Sequence, residues 1–202
     1  MDENTVKEPA IDYNAHYTYA DYLKFDFEEM VELIKGKIFR MSPAPRVTHQ
    51  MISSRLHLKI AGYFDHRPCQ VFHAPTDVVL PVKNKKKESA TTVVQPDICI
   101  ICDLSIIEDL CVYGVPDLII EILSPHTRKK DLQNKYEVYE ESGVKEYWIV
   151  MPEEKLVEVF LLNNHKYQRI QAYTETDTVP CQIFEGLEVE LTDVFFDIRK
   201  QQ

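Results

Sequence analysis

The chain has 202 residues, 45% of them hydrophobic, which is enough for one substantial core, and its formal net charge is −10. Such acidity excludes a surface built for general nucleic-acid binding, which carries a basic stripe, so any DNA contact has to be local. No run of about eighteen apolar residues occurs and the opening MDENTVKEPAIDYNAHY is polar and acidic; neither a membrane span nor a signal peptide is expected, and the location expected is cytoplasmic.

Residues 1–16 read as a flexible tail and 17–202 as a single domain. Thr18 caps a short helix running to Phe25, with Tyr19, Tyr22 and Leu23 on its apolar side. Val31 to Met41 predicts two short strands around a Lys35-Gly36 turn, closed by Ser42-Pro43-Ala44-Pro45. Glu32 in that hairpin is either an exposed strand residue or part of a site. Ile52, Leu56, Ile60 and Phe64 recur every four residues and predict an amphipathic helix from Thr48 to Phe64, with His49 in its first turn as a capping or functional residue. Two extended segments follow, Gln70 to Ala74 and Asp77 to Val82, and then a loop carrying Lys83, Lys85, Lys86 and Lys87.

The most informative stretch lies next. Val93 to Cys102 and Val115 to Pro125 are β-branched runs that read as buried strands, and each holds an acid, Asp97 and Glu121. An ionised carboxylate in such a strand is costly to desolvate unless something positive compensates it. Alternate residues share a strand face, so Gln95, Asp97 and Cys99 point one way on the first run and Ile119, Glu121 and Leu123 one way on the second. On neighbouring strands the two acids can converge on one ion, and ligands offering only oxygen suit Mg²⁺ or Mn²⁺ rather than zinc. The alternative is that Asp97 ends a loop while Glu121 pairs with a buried Lys or Arg.

Leu104 to Gly114 is ambiguous, with room for a helical turn. After Pro125 comes a basic cluster, Arg128, Lys129 and Lys130, and then a helix with Leu132, Tyr136, Val138 and Tyr139 on its apolar side and Gly143 as its stop. Val144 to Met151, Leu156 to Leu162 and Tyr167 to Tyr173 predict three further strands, with Asn163-Asn164 as a turn and Trp148 in the core. Leu187 to Leu191 is strand-like, and the Phe195-Phe196 pair is expected to pack back on the body. The five cysteines are odd in number and lack a disulfide-scaffold pattern, in keeping with a reducing compartment. Cys99 and Cys102, three apart on a strand, point to opposite faces, which argues against a zinc or redox site there.

In order along the chain, ELIKG, MSPAP with a following His, TDVVLP, VVQPDICII, VPDLIIEILSP and DLQNKYEVYEESGVKEYWIV resemble the Uma-type family of restriction endonucleases, from about Tyr17 to Phe196. The resemblance implies membership of the PD-(D/E)xK nuclease superfamily: an α/β (α+β) fold with a restriction-endonuclease-like mixed β-sheet flanked by helices, and a metal-binding acid on each of two adjacent strands. By it Asp97 is the PD aspartate and Glu121 the (D/E). Leu123 stands where the superfamily lysine belongs, and Lys135 of DLQNK is the matching cation from the next helix. Glu32, His49 and Asp77 also match family positions, while Asp131 serves the start of the helix.

Phosphodiester hydrolysis needs a water made nucleophilic and positive charge against the phosphorane, which a carboxylate-held Mg²⁺ supplies and Lys135 complements. DNA is the expected substrate, and a homodimer would serve cleavage of both strands. The competing reading is a non-catalytic member of the fold acting as a DNA-binding or protein-interaction module, favoured by the acidic charge and by Leu123. No Ser or Cys has a base partner at a spacing that indicates a covalent intermediate.

Overall fold

The computed structural model describes residues 12, 14–25, 30–41, 46–81, 86–124 and 131–197, without the side chains of Asp131 and Leu132. Most of the tail, the Ser42–Pro45 closure, Lys83, Lys85, the Arg128–Lys130 cluster and the role given to Asp131 lie outside the described residues.

The hairpin forms as its sequence dictates: β1 (Val31–Ile34) and β2 (Lys37–Arg40) pair antiparallel around Lys35 and Gly36, both at positive φ (49° and 80°). Glycine is required there twice over, because a Cβ on Gly36 would fall 2.3 Å from the His16 ring. Ahead of it, α1 (Tyr19–Tyr22) starts at Thr18, whose N–H and hydroxyl both donate to Asp21. The helix predicted by the four-residue repeat is α2 (Val47–Phe64), and all four of its repeat positions are buried.

The Val93 to Cys102 run, expected as one strand, is two. β5 (Thr92–Val94) belongs to a five-stranded sheet of order β2-β1-β5-β4-β7, with β4 at Val78–Leu80 and β7 at Val112–Tyr113. β6 (Ile98–Ile101) belongs to a six-stranded sheet of order β11-β10-β9-β8-β6-β3. Gln95, Pro96 and Asp97 cross between them, and proline suits the crossing because it has no N–H to give to either ladder. The other members of the six-stranded sheet are β3 (Gln70–His73), β8 (Leu118–Ile122), β9 (Glu146–Met151), β10 (Leu156–Asn163) and β11 (Lys166–Thr174). Only β8–β9 among its pairs is parallel, so the sheet is mixed.

Each face of this sheet has its own core. Leu118, Ile120, Ile122, Trp148 and Val150 meet α2 and a C-terminal layer made of β12 (Thr178–Pro180), β13 (Glu188–Glu190) and α4 (Leu191–Val194). Ile119, Leu123, Tyr147 and Ile149 meet Val78 and Val94 of the smaller sheet and α3 (Tyr136–Ser142). Phe195 is buried as expected, whereas Phe196 is exposed. The turn between β10 and β11 is Asn164-His165, both at positive φ, one residue beyond the expected Asn163-Asn164.

Two corrections concern small segments. Leu104–Ile106 forms the helical turn considered for that region, but β7 follows it and pairs parallel to β4. Cys102, directly after β6, is joined to Cys69, directly before β3, in a disulfide across 33 residues, which the count of cysteines gave no reason to expect. Cys99, Cys111 and Cys181 are buried free thiols.

Candidate active site

The crossing segment and the start of α3 bring the acids together. Glu32 on β1 is 1% exposed and Glu121 on β8 is 3% exposed; Lys135, 3% exposed, lies between them, its Nζ 2.9 Å from Glu32 Oε1 and 2.8 Å from Glu121 Oε1. Glu32 is therefore no exposed strand residue, and the Gln95 N–H donates to its Oε1 at 2.9 Å. Lys135 ends a five-residue π-helical turn, Asp131–Lys135, that leads into α3. Such turns are rare and recur at functional sites. Tyr139, one turn on and wholly buried, donates its hydroxyl to the same Glu121 oxygen at 2.6 Å. Burial and the charge of Glu121 hold that phenol well above its ordinary pKa, so it stays a donor.

α3 is tied down on both sides. Lys35 in the β1–β2 turn reaches Glu137 and Glu141, and Glu140 accepts from Lys166 and from the Tyr167 N–H on β11. These contacts aim Lys135 and Tyr139 at β8.

Asp97 takes a neighbouring position. It lies just before β6, next to Ile98, whose pairing with Ile120 is the last of the β6–β8 ladder. Its Oδ2 accepts the Ile122 N–H at 2.7 Å, and its Oδ1 lies 3.2 Å from His49 Nε2. His49 thus joins the group through Asp97 rather than through Glu32 or Lys135. Asp77 is reached through Gln95, whose side-chain amide donates to Asp77 Oδ1 at 2.7 Å; Tyr22 donates to that oxygen at 3.1 Å. Burial raises the Asp77 pKa, and the charge of Glu32 adds to the rise.

The expected residues therefore fall into two linked sets, Glu32–Lys135–Glu121 and His49–Asp97, with Asp77 attached to the first through Gln95. Among the described residues, no group of three or more His, Cys, Asp and Glu side chains is arranged to hold a metal ion. In kind, though, the carboxylates of Asp97 and Glu121 are donors that a hard divalent cation takes. Tyr139, Gln95 and Tyr22 were not read as site residues. Tyr139 carried a signal, its position four after Lys135 in a predicted helix; Gln95 shares the parity of Asp97; nothing local marks Tyr22.

The similarity to known proteins concerns the family and the fold. No curated protein matches the chain. Among solved structures, one titled as a putative nuclease belonging to DUF820 from Anabaena variabilis ATCC 29413 superposes with a TM-score of 0.69 at 22% identity, covering 88% of this chain and 97% of that one. It shows the shared fold, restriction-endonuclease-like with mixed sheets and flanking helices. The model of the Uma2 family, described as "Putative restriction endonuclease", matches residues 18–193, and the chain belongs to that family.

Proposed function

We propose that the chain is a DNA endonuclease dependent on a divalent metal, Mg²⁺ or Mn²⁺, held by Asp97 and Glu121 with Lys135 as the catalytic cation. The observation that carries this reading is the place of Lys135: a lysine from the following helix sits 2.8 Å from the acid of β8, where the sequence two residues after that acid offers only a buried Leu123. Family membership and the nuclease title of the solved relative support the reaction class.

Asp97 and Glu121 would hold the ion from adjacent strands. When bound, it supplies a water of lowered pKa and positive charge against the phosphate oxygens. The chain's own residues do the rest. Two carboxylates fix Lys135 beside Glu121, where its charge can meet a scissile phosphate. Tyr139 fixes the Glu121 carboxylate, Glu32, itself held by the Gln95 N–H, fixes Lys135 from the other side, and His49 orients Asp97. Cleavage of both strands would be served by a homodimer in the cytoplasm, with residues 17–202 acting as one domain.

The test is cleavage of plasmid and short duplex DNA with Mg²⁺ or Mn²⁺ by wild type, Asp97→Ala and Glu121→Gln, with folding checked by circular dichroism. Wild type should cut, and each variant should be slower by about a hundredfold or more. Equal rates would remove the assignment. The engagement of Glu121 by Lys135 and Tyr139 favours a second reading, a non-catalytic DNA-binding or protein-interaction module. DNA binding without any metal-dependent cleavage would select it.

A further inference from the structure

Beside this cluster a cleft of about 420 Å³ opens between residues 75–77 and the turn at 107–112. Asp77 and Gln95 line it, with Glu108 and Asp109 from the turn and with Phe72 and Leu110 as apolar walls. Gln95 is 8% exposed, and its Oε1 is buried without a hydrogen-bond partner. Its orientation is set, because the amide nitrogen must face Asp77 Oδ1, which also accepts from Tyr22. That leaves the amide oxygen and the second Asp77 oxygen as acceptors, and a buried acceptor with no donor is costly.

The lining also has a charge. Its Asp and Glu side chains, Asp77, Glu108 and Asp109, oppose entry of an anion, although Lys87 outside the lining pairs with Glu108. A hydrated metal ion would make no use of Phe72 and Leu110 and needs more oxygen ligands than the floor offers. A guanidinium or ammonium on an aliphatic stem uses every feature: donors for Gln95 and Asp77, charge for the acidic rim, methylenes for the apolar walls. We propose that this cleft binds an organic cation of that class, an alkylguanidinium or alkylammonium group, either as a free di- or polyamine or as the basic side chain of a protein partner. Burial raises the Asp77 pKa, and a cation beside the carboxylate would offset that cost. The site goes beyond the nuclease reading and does not depend on it, since neither DNA nor metal takes part.

The experiment is calorimetric titration of the full chain, in chelator, with agmatine, acetyl-arginine amide, the neutral citrulline analogue of the latter and 1-methylcytosine, and separately, without chelator, with MgCl₂. At least one guanidinium probe should saturate at one equivalent, with the citrulline analogue about tenfold weaker or worse. Asp77→Asn, which keeps the shape and removes the charge, should also weaken binding by about tenfold. Asp109→Lys on the exposed rim should weaken it several-fold, and it tests the site even if Asp77→Asn does not fold. Tighter binding of agmatine identifies a free cation as the ligand; equal or tighter binding of acetyl-arginine amide identifies a protein side chain. The proposal is overturned if no guanidinium probe saturates below about 10 mM, if the citrulline analogue binds as well, if neither variant weakens binding, or if 1-methylcytosine or Mg²⁺ binds more tightly at the same residues.

Discussion

Two buried glutamates on the parallel neighbours β8 and β9 live in opposite chemical settings. Glu121 points to the face of Ile119 and Leu123 and meets an ammonium shared with another carboxylate. Glu146 points to the face of Trp148 and Val150 and meets neutral donors alone: the Trp148 indole at 2.6 Å on one oxygen, and the Gln182 and Ile183 amides at 2.9 and 3.0 Å with the Cys181 thiol on the other. Burial of an acid is therefore not a functional signal by itself. Neutral dipoles from Trp148 and from residues 181–183 make a fastener, which holds the C-terminal layer to the sheet. The charges of Glu32, Lys135 and Glu121 balance one another instead, and they are what the proposed reaction would draw on.

The hardest way to break the comparison is Lys135→Met. With the ammonium gone, Glu32 and Glu121 face each other in a dry site, and the loss should be about 3–5 kcal/mol in urea unfolding. A loss below about 1 kcal/mol would mean that the carboxylates are balanced otherwise. Any fall in cleavage by a Lys135 variant has to be read beside this loss of stability.

The same conservative change at both acids sharpens the contrast. Glu146→Gln can satisfy one set of donors but turns its NH₂ toward the other, so it should cost about 3 kcal/mol. Glu121→Gln keeps an acceptor for Lys135 and Tyr139 and leaves the Lys135–Glu32 pair charge-balanced, so it should change stability by less than about 1 kcal/mol. Equal costs in denaturant titrations would erase the distinction. Glu146 also has a pH signature. Burial raises its pKa despite its hydrogen bonds, so the fold holds a proton that the unfolded chain has released. Its contribution is full below the ordinary carboxylate pKa and is lost as pH rises through the raised one, so the advantage of wild type over Glu146→Gln should shrink across that window. An advantage that grows with pH there would reverse the assignment.

The smallest effect belongs to the surface. Lys35→Ala removes two ion pairs that moor α3, but all three partners are about half exposed, and the cost should stay below about 0.5 kcal/mol. A larger loss in thermal unfolding would show that α3 is held chiefly from that side.

The contrast also explains what could be read from sequence. The hairpin, α2 and the strands from Glu146 to Thr174 were legible because each has its own periodicity or turn signal. Asp97, Glu121 and Lys135 were legible as acids in apolar runs and a lysine in a matching motif. Glu146 was not, since its donors come from residues 181–183, far along the chain. β12 was missed because Thr178-Val179-Pro180 is short and contains proline, which demotes a strand. The Cys69–Cys102 pairing depends on β3 lying beside β6, a tertiary fact that spacing does not carry.

The crossing at Gln95, Pro96 and Asp97 has a consequence for how the chain can vary in length. Three residues separate a strand of one sheet from a strand of the other, and both ends are locked, Val94 opposite Val78 and Ile98 opposite Ile120. Adding or removing one residue would exchange the sides on which Gln95 and Asp97 emerge, handing an amide to β8 and a carboxylate to Asp77. The connection therefore acts as a gauge of phase between the two sheets, and length changes accumulated by related chains belong in solvent-facing loops, never in this one.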